Sequence, residues 1–284
     1  MRARLDAVAR TMGAPDCETI PWQNMRYQHL QAIRAQLLGR DLAPASVNAT
    51  LCALRGVATA AFNLGLLSAE DYQRLRQVKA ARGERLPAGR ALSIGEATAL
   101  LDTCANDTTT AGARDAAIIG LLYGAGLRRA EAVGLDREDY DPATGELRVR
   151  GKGNKQRLLY VTNGAGTAMG DWLQLRGDEP GPLFWPVNRG GHWERRRMSG
   201  QAIYDMLRKR AEQAGATNLS PMDFRRTFIG DLLDNGTDIV TVQHLAGHAN
   251  ITTTAQYDRR PEETKRAAMQ LRSVPYSGRP QLTA

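Results

Sequence analysis

Between residues 146 and 161 the spacing of apolar residues drops from the helical three-to-four to two. Glu146-Leu-Arg-Val-Arg150 and Gln156-Arg-Leu-Leu-Tyr-Val161 alternate around Gly151-Lys-Gly-Asn-Lys155, the pattern of two short strands joined by a glycine-rich basic turn. On both sides of this hairpin the pattern is helical, so the expected class is mainly α with a small antiparallel β-sheet.

The helical parts divide in two. A helix is expected from about Pro21 to Leu38, closed by Gly39, a second from an N-cap at Ser46 to Leu64 before Gly65, and a third opened by Ser68. Val47, Leu51, Leu54, Val57, Ala58 and Ala61 share one face of the second helix, leaving Asn48, Arg55 and Thr59 on another. Residues 1–82 therefore read as a compact helical bundle. Residues 81–92 are rich in Gly, Pro and charge and precede a capping box, Ser93 with Glu96, so 83–92 is the expected linker. A tether about ten residues long would let two domains embrace a partner from opposite sides, at roughly 3.3 Å per extended residue. In the second domain, 93–284, helices are expected near 94–104, 113–124, from Arg128, and at 165–176, 199–214, 221–235 and 238–246. A short amphipathic helix over 261–271, too small to fold alone, heads a tail at about 261–284 that must dock on something.

Charge narrows the partner. The 38 basic against 30 acidic side chains give +8 and a pI near 9.7, which favours a polyanion, because neutralising phosphates releases counterions. Residues 1–90 hold about 13 basic and 7 acidic side chains, so the first domain reads as a general DNA clamp. In the second, phosphate affinity must come from local clusters such as Arg195-Arg-Arg197 and Lys152 to Arg157. Cys17, Cys52 and Cys104 are odd in number and widely spaced, indicating neither a disulfide framework nor a zinc site. No stretch has the length of a membrane span and the N-terminus lacks the apolar core of a secretory signal, so a cytoplasmic protein without a membrane partner is expected.

Several residues have contexts suited to phosphate chemistry. Arg128 follows Gly124-Ala-Gly126 at a helix start, where free N–H groups favour an anion, and Glu131 one turn on could hold it. No strand precedes that turn and the third glycine is missing, so it is not a dinucleotide fingerprint. Lys152 sits at the hairpin tip, outside any P-loop spacing, where it is either a solvated turn lysine or a proton donor to a leaving oxygen. Arg225 lies beside the Phe224/Phe228 stripe of a helix begun by Pro221 and is either a phosphate ligand or the partner of a buried carboxylate such as Asp231; Arg226 points elsewhere. His248 follows Leu245-Ala-Gly247 at a helix C-terminus, and Tyr257 comes nine positions later. Two arginines, a histidine and a tyrosine supply charge neutralisation, a hydrogen-bond donor and a nucleophile for transesterification.

Together, Gly126-Leu-Arg128-x-x-Glu131, the Gly151-Lys152-Gly-Asn-Lys hairpin, Phe224-Arg225-Arg-Thr-Phe228, Leu245-x-Gly-His248 and Thr254-x-x-Tyr257 resemble the tyrosine recombinases, the phage integrase family. The resemblance implies a SAM-like core-binding bundle followed by a catalytic domain. It implies that Tyr257 attacks the scissile phosphate to give a 3′-phosphotyrosyl link and a free 5′-hydroxyl. Arg128 and Arg225 would then grip the non-bridging oxygens, Lys152 protonate the leaving oxygen and His248 donate a hydrogen bond. It further implies a DNA strand transferase needing no cofactor, ATP or metal, acting as a tetramer on double-stranded DNA with inverted-repeat sites. An accessory DNA-bending protein is a possible further partner, the setting is a mobile element, a phage or replicon resolution, and the tail exchanges between protomers or docks in cis. Where the family most often has histidine, three residues before its second arginine, this chain has Met222. A thioether cannot shuttle a proton, which leaves as the rival a catalytically weak DNA-binding relative. A relaxing enzyme of the type IB topoisomerase kind shares the tyrosine chemistry, but the N-terminal bundle and the tail speak against it.

Overall fold

The computed structural model describes residues 1–83, 89–151, 153–188, 190–258, 266, 269–272, 274 and 275. It falls into two compact units, Met1–Ala88 and Gly89–Ala284.

In the first unit, α1 (Arg2–Thr11), a 3-10 turn (Trp22–Asn24), α2 (Tyr27–Gly39), α3 (Pro44–Asn63) and α4 (Ala69–Arg76) enclose a core of Leu5, Val8, Leu30, Val47, Leu51, Leu54, Leu75 and Val78. The helix expected from Pro21 starts instead at Tyr27. Met25 is buried in an extended conformation between the 3-10 turn and the helix, and the Arg26 amide donates to Nδ1 of His29 at 3.1 Å. Nor is Ser46 the cap of α3; Pro44, with its fixed φ, begins that helix two residues earlier. Ser68 does cap α4, accepting from the Asp71 amide. The polar face of α3 is spent inside the unit. Asn48 both donates to and accepts from the backbone of Ala81 at 3.0 and 2.7 Å, Arg55 donates to the Val78 carbonyl, and the Thr59 hydroxyl lies 3.2 Å from that of Tyr72.

The second unit begins before its first helix. Arg90 donates its amide to Asp223 at 3.0 Å, and the buried Leu92 donates its own to the Thr227 hydroxyl at 2.8 Å, so the C-terminal part of the stretch read as linker is fastened. Then come α5 (Ile94–Ala105), α6 (Thr110–Gly124), α7 (Arg129–Gly134), β1 (Glu146–Arg150), β2 (Gln156–Tyr160), α8 (Asn163–Arg176), α9 (Gly200–Gln213), α10 (Pro221–Asp234), α11 (Ile239–Ala246) and α12 (Ile251–Ala255). The Ser93/Glu96 capping box is present at α5. The strands pair antiparallel with Val149 opposite Arg157, and Leu147, Val149 and Leu159 point into a core that includes Ile118, Leu121, Leu122, Trp172, Ile203 and Leu207. Around α6 the core is braced by charge: Arg210 reaches Asp115 at 2.8 Å and Asp107 at 2.6 Å. No described helix is long and apolar enough to cross a membrane. Lys152 and most of the tail over 261–284 lie outside the described residues; of the helix expected at 261–271, the described Arg266, Met269 and Gln270 are helical and Leu271 is in a turn.

Candidate active site

The last carbonyls of α11 organise the site. A helix C-terminus leaves its final C=O groups without intrahelical donors and carries partial negative charge. Here three consecutive carbonyls each receive a guanidinium from a different part of the chain. Arg157 on β2 donates to Leu245 at 2.9 Å, Arg225 on α10 donates to Ala246, and Arg128 at the head of α7 donates to Gly247 at 3.1 Å. Gly247 ends α11 in the left-handed conformation with φ 62°, as a helix-terminating glycine commonly does. A Cβ there would also lie 2.9 Å from Arg157 Nη1, so glycine is needed for backbone and for space.

Arg225 is 1 % exposed and makes no carboxylate pair with Asp231; its second fork arm donates to the Gly126 carbonyl at 2.7 Å. Burial, then the neighbouring charges of Arg128 and Arg157, lower its pKa to about 10, with Glu131 and Tyr257 acting the other way. Gly126 is shaped for this contact: its φ is +59° and a Cβ would stand 2.3 Å from the Phe228 ring. Arg226 turns to the buried Asp223 at 2.8 Å.

Glu131 is the shared counter-ion. It accepts from Arg128 Nη1 at 2.6 Å and from the Arg128 amide at 2.9 Å, closing a capping box for α7, and takes a two-point pair from Arg157 at 3.0 and 2.8 Å. Burial pushes its pKa up, but the bonds from Arg157 and Arg128 outweigh that and hold it at about 2. One carboxylate thus partly neutralises two guanidiniums, while Arg128, whose side chain is 37 % exposed, keeps a solvent-facing portion available to a ligand.

His248 follows this turn directly. Its backbone is clamped by Gln243 from both sides, its Nδ1 lies 2.8 Å from the buried Thr254 hydroxyl, and its ring stacks on Tyr257 with centroids 6.0 Å apart and planes 19° from parallel. Burial, then Arg225, Arg128 and Arg157, depress its pKa to about 4, so the imidazole is neutral at neutral pH. Tyr257, half-buried just past α12, packs against the small cluster of Ile229, Leu233, Val242 and Ala246. Met222, in the first turn of α10, is 51 % exposed.

The fold therefore gathers Arg128, Glu131, Arg225, His248 and Tyr257 around one helix end. The sequence offers Arg157 only as part of a basic cluster for phosphate; in the structure its group is engaged by Glu131 and the Leu245 carbonyl. Its register opposite the buried Val149 is the signal that it faces inward. Nothing in the sequence marks Thr254 as a polar partner, because a threonine in a short helix has no distinguishing pattern. The Arg195-Arg-Arg197 cluster is paired within the protein: Arg195 with Glu179 at 2.7 Å, Arg196 with Glu194 at 2.5 Å, Arg197 with Asp136 at 2.5 Å.

Known proteins carry the same arrangement of sequence. The profile of the phage integrase family matches residues 90–263. Tyrosine recombinase XerC of Shewanella amazonensis is 33 % identical over 239 residues, covering 83 % of this chain and 77 % of that protein, and tyrosine recombinase XerD of Mycobacterium leprae is 36 % identical over 230 residues, covering 76 % and 70 %. Among solved structures, the XerH site-specific recombinase bound to palindromic difH substrate superposes with a TM-score of 0.65 at 20 % identity, over 87 % of this chain and 72 % of that one. A lambda integrase dimer bound to a core site gives 0.63 at 14 %, over 92 % and 88 %; at such identities the likeness is one of fold. With most of its second unit matched by the family and relatives of this identity spanning both units, the chain belongs to the phage integrase family, the tyrosine recombinases, enzymes that transfer DNA strands in site-specific recombination.

Proposed function

We propose that Tyr257 is the nucleophile of a strand transfer in which the phosphate is held by Arg128 and Arg225. The phenolic oxygen attacks phosphorus, the bond to the 5′-oxygen breaks with its electron pair leaving on that oxygen, and a 3′-phosphotyrosyl ester results. The leaving oxygen takes a proton from Lys152, while the phenolic proton passes to solvent or a nearby base. His248, neutral, donates one hydrogen bond to a phosphate oxygen. The bond energy is kept in the ester, so the reverse attack by a 5′-hydroxyl rejoins the strand without ATP.

The observation that carries this reading is the set of three guanidiniums on the carbonyls of Leu245, Ala246 and Gly247, immediately before His248 stacked on Tyr257. Guanidiniums held in place this way need not reorganise during reaction, which suits Arg128 and Arg225 to stabilise a phosphate's transition state, with Arg157 bracing the turn. On this reading the first unit is the core-binding DNA clamp, and the protein works as a tetramer on inverted-repeat sites of a mobile element, a phage or a replicon, with or without a DNA-bending partner, in the cell's nucleoid. The name of XerH's substrate, a palindromic site, supports the inverted-repeat expectation.

Nicked suicide DNA carrying the inverted repeats that flank the reading frame tests the chemistry. A covalent adduct on a denaturing gel is expected, absent for Tyr257→Phe with DNA affinity retained. Binding without any adduct from the unaltered chain would leave a DNA-binding protein without strand transfer.

A further inference from the structure

We infer that Thr254 is a positioning residue that fixes the tautomer of His248, so that the imidazole presents its proton from Nε2 to the phosphate. The inference rests on the reading of His248 as a hydrogen-bond donor to the phosphate.

The hydrogen-bond accounting is short. Nδ1 of His248 and Oγ1 of Thr254 are 2.8 Å apart, and Thr254 has no solvent exposure. A neutral imidazole has one N–H and one bare nitrogen, whereas a hydroxyl has one proton to give. If Nδ1 carried the proton, the threonine hydroxyl would accept it and would need another acceptor for its own hydrogen. Among the described residues its side chain makes no other hydrogen bond, and a buried hydroxyl proton without a partner is costly. Thr254 must then donate, Nδ1 must accept, and the imidazole proton sits on Nε2. The depressed pKa of His248 agrees, since the ring is neutral and its tautomer decides whether it can donate at all.

Thr254 also ties this choice to the nucleophile. It lies in α12, and its carbonyl accepts the Tyr257 amide at 2.9 Å. One residue thus holds the histidine by its side chain and the turn bearing the tyrosine by its backbone. A valine there would keep the shape and the backbone bond and remove only the donated proton.

The test uses the full chain with ¹⁵N-labelled histidine and a nicked suicide duplex. In the unaltered protein the His248 resonances should be those of the Nε2–H tautomer. Thr254→Val should shift them toward Nδ1–H and slow adduct formation roughly tenfold or more, with DNA affinity unchanged, and Thr254→Ser should restore both tautomer and rate. An Nδ1–H signal in the unaltered protein, a valine variant that cleaves at the original rate, or a serine variant that fails to restore it would each overturn the inference. The tautomer is read without any reaction, so the first of these does not depend on cleavage. Absence of adduct from the unaltered protein would instead count against the strand-transfer reading itself.

Discussion

Arg157 and Glu131 meet in a two-point ion pair, Nη1 to Oε1 at 3.0 Å and Nη2 to Oε2 at 2.8 Å, with side chains 12 % and 5 % exposed. The pair joins β2 to the start of α7, and through the third nitrogen of Arg157 it reaches the end of α11. Arg157→Leu would leave Glu131 buried with Arg128 alone, and removing one partner of a buried pair costs about 3–5 kcal/mol. Urea unfolding should show a loss of that order, and Arg157→Lys, which keeps charge but not the fork, should fall between. A change below ~1 kcal/mol for leucine would mean that the pair is solvated in solution.

The same carboxylate gives a pH signature. Its pKa is 4.5 when unperturbed and about 2 here. A depressed folded-state value means that its contribution to stability is full above 4.5 and is lost as pH falls from there to about 2. That difference corresponds to on the order of 3 kcal/mol. Glu131→Gln should flatten the stability curve over that window relative to the unaltered chain; parallel curves would contradict it.

His248 titrates in the opposite chemical sense but with the same sign for stability. Its folded pKa is about 4 against 6.5 unperturbed, so the neutral form is favoured by folding, and stability declines as pH falls from 6.5 toward 4. The Cε1–H resonance should stay at its neutral position from pH 8 down to about pH 5. Cleavage should therefore show no inflection from this residue between pH 6 and 8. A midpoint near 6.5 in the NMR titration would refute the burial and charge effects invoked.

Gly247→Ala places a methyl at φ 62° and 2.9 Å from Arg157. The backbone strain costs on the order of 1 kcal/mol, and the displaced fork adds to it. The expected outcome is a fall in adduct formation larger than the fall in DNA affinity, measured on the same suicide duplex, because the guanidiniums move while the DNA-binding surface elsewhere does not.

Met222 sits exposed in the first turn of α10, so Met222→His should cost little in packing. An increase in adduct formation at neutral pH is the expected result. An unchanged or lower rate would remove the idea that this position limits deprotonation of Tyr257.

The sequence by itself determined the hairpin, most of the helices and the identity of the chemical groups, while α1 and α12 lie outside the helices it predicts. Apolar spacing gave the strands at 146–150 and 156–160 and the helices around them, because burial of one face imposes its period on the chain regardless of distant partners. The local contexts of Arg128, Arg225, His248 and Tyr257, with the motifs' resemblance to the tyrosine recombinases, make phosphate chemistry legible in the sequence. What only the tertiary structure decided is who satisfies whom. Arg157 and Thr254 belong to the site through bonds to residues 26 and 6 positions away, and Arg225 is held by carbonyls 99 and 21 positions away rather than by the nearby Asp231. Such pairings leave no periodic trace, because a hydrogen bond constrains two atoms in space and not an interval in the chain. The start of α2 differs from the sequence expectation for a related reason: burying Met25 requires a turn that local helix signals do not encode.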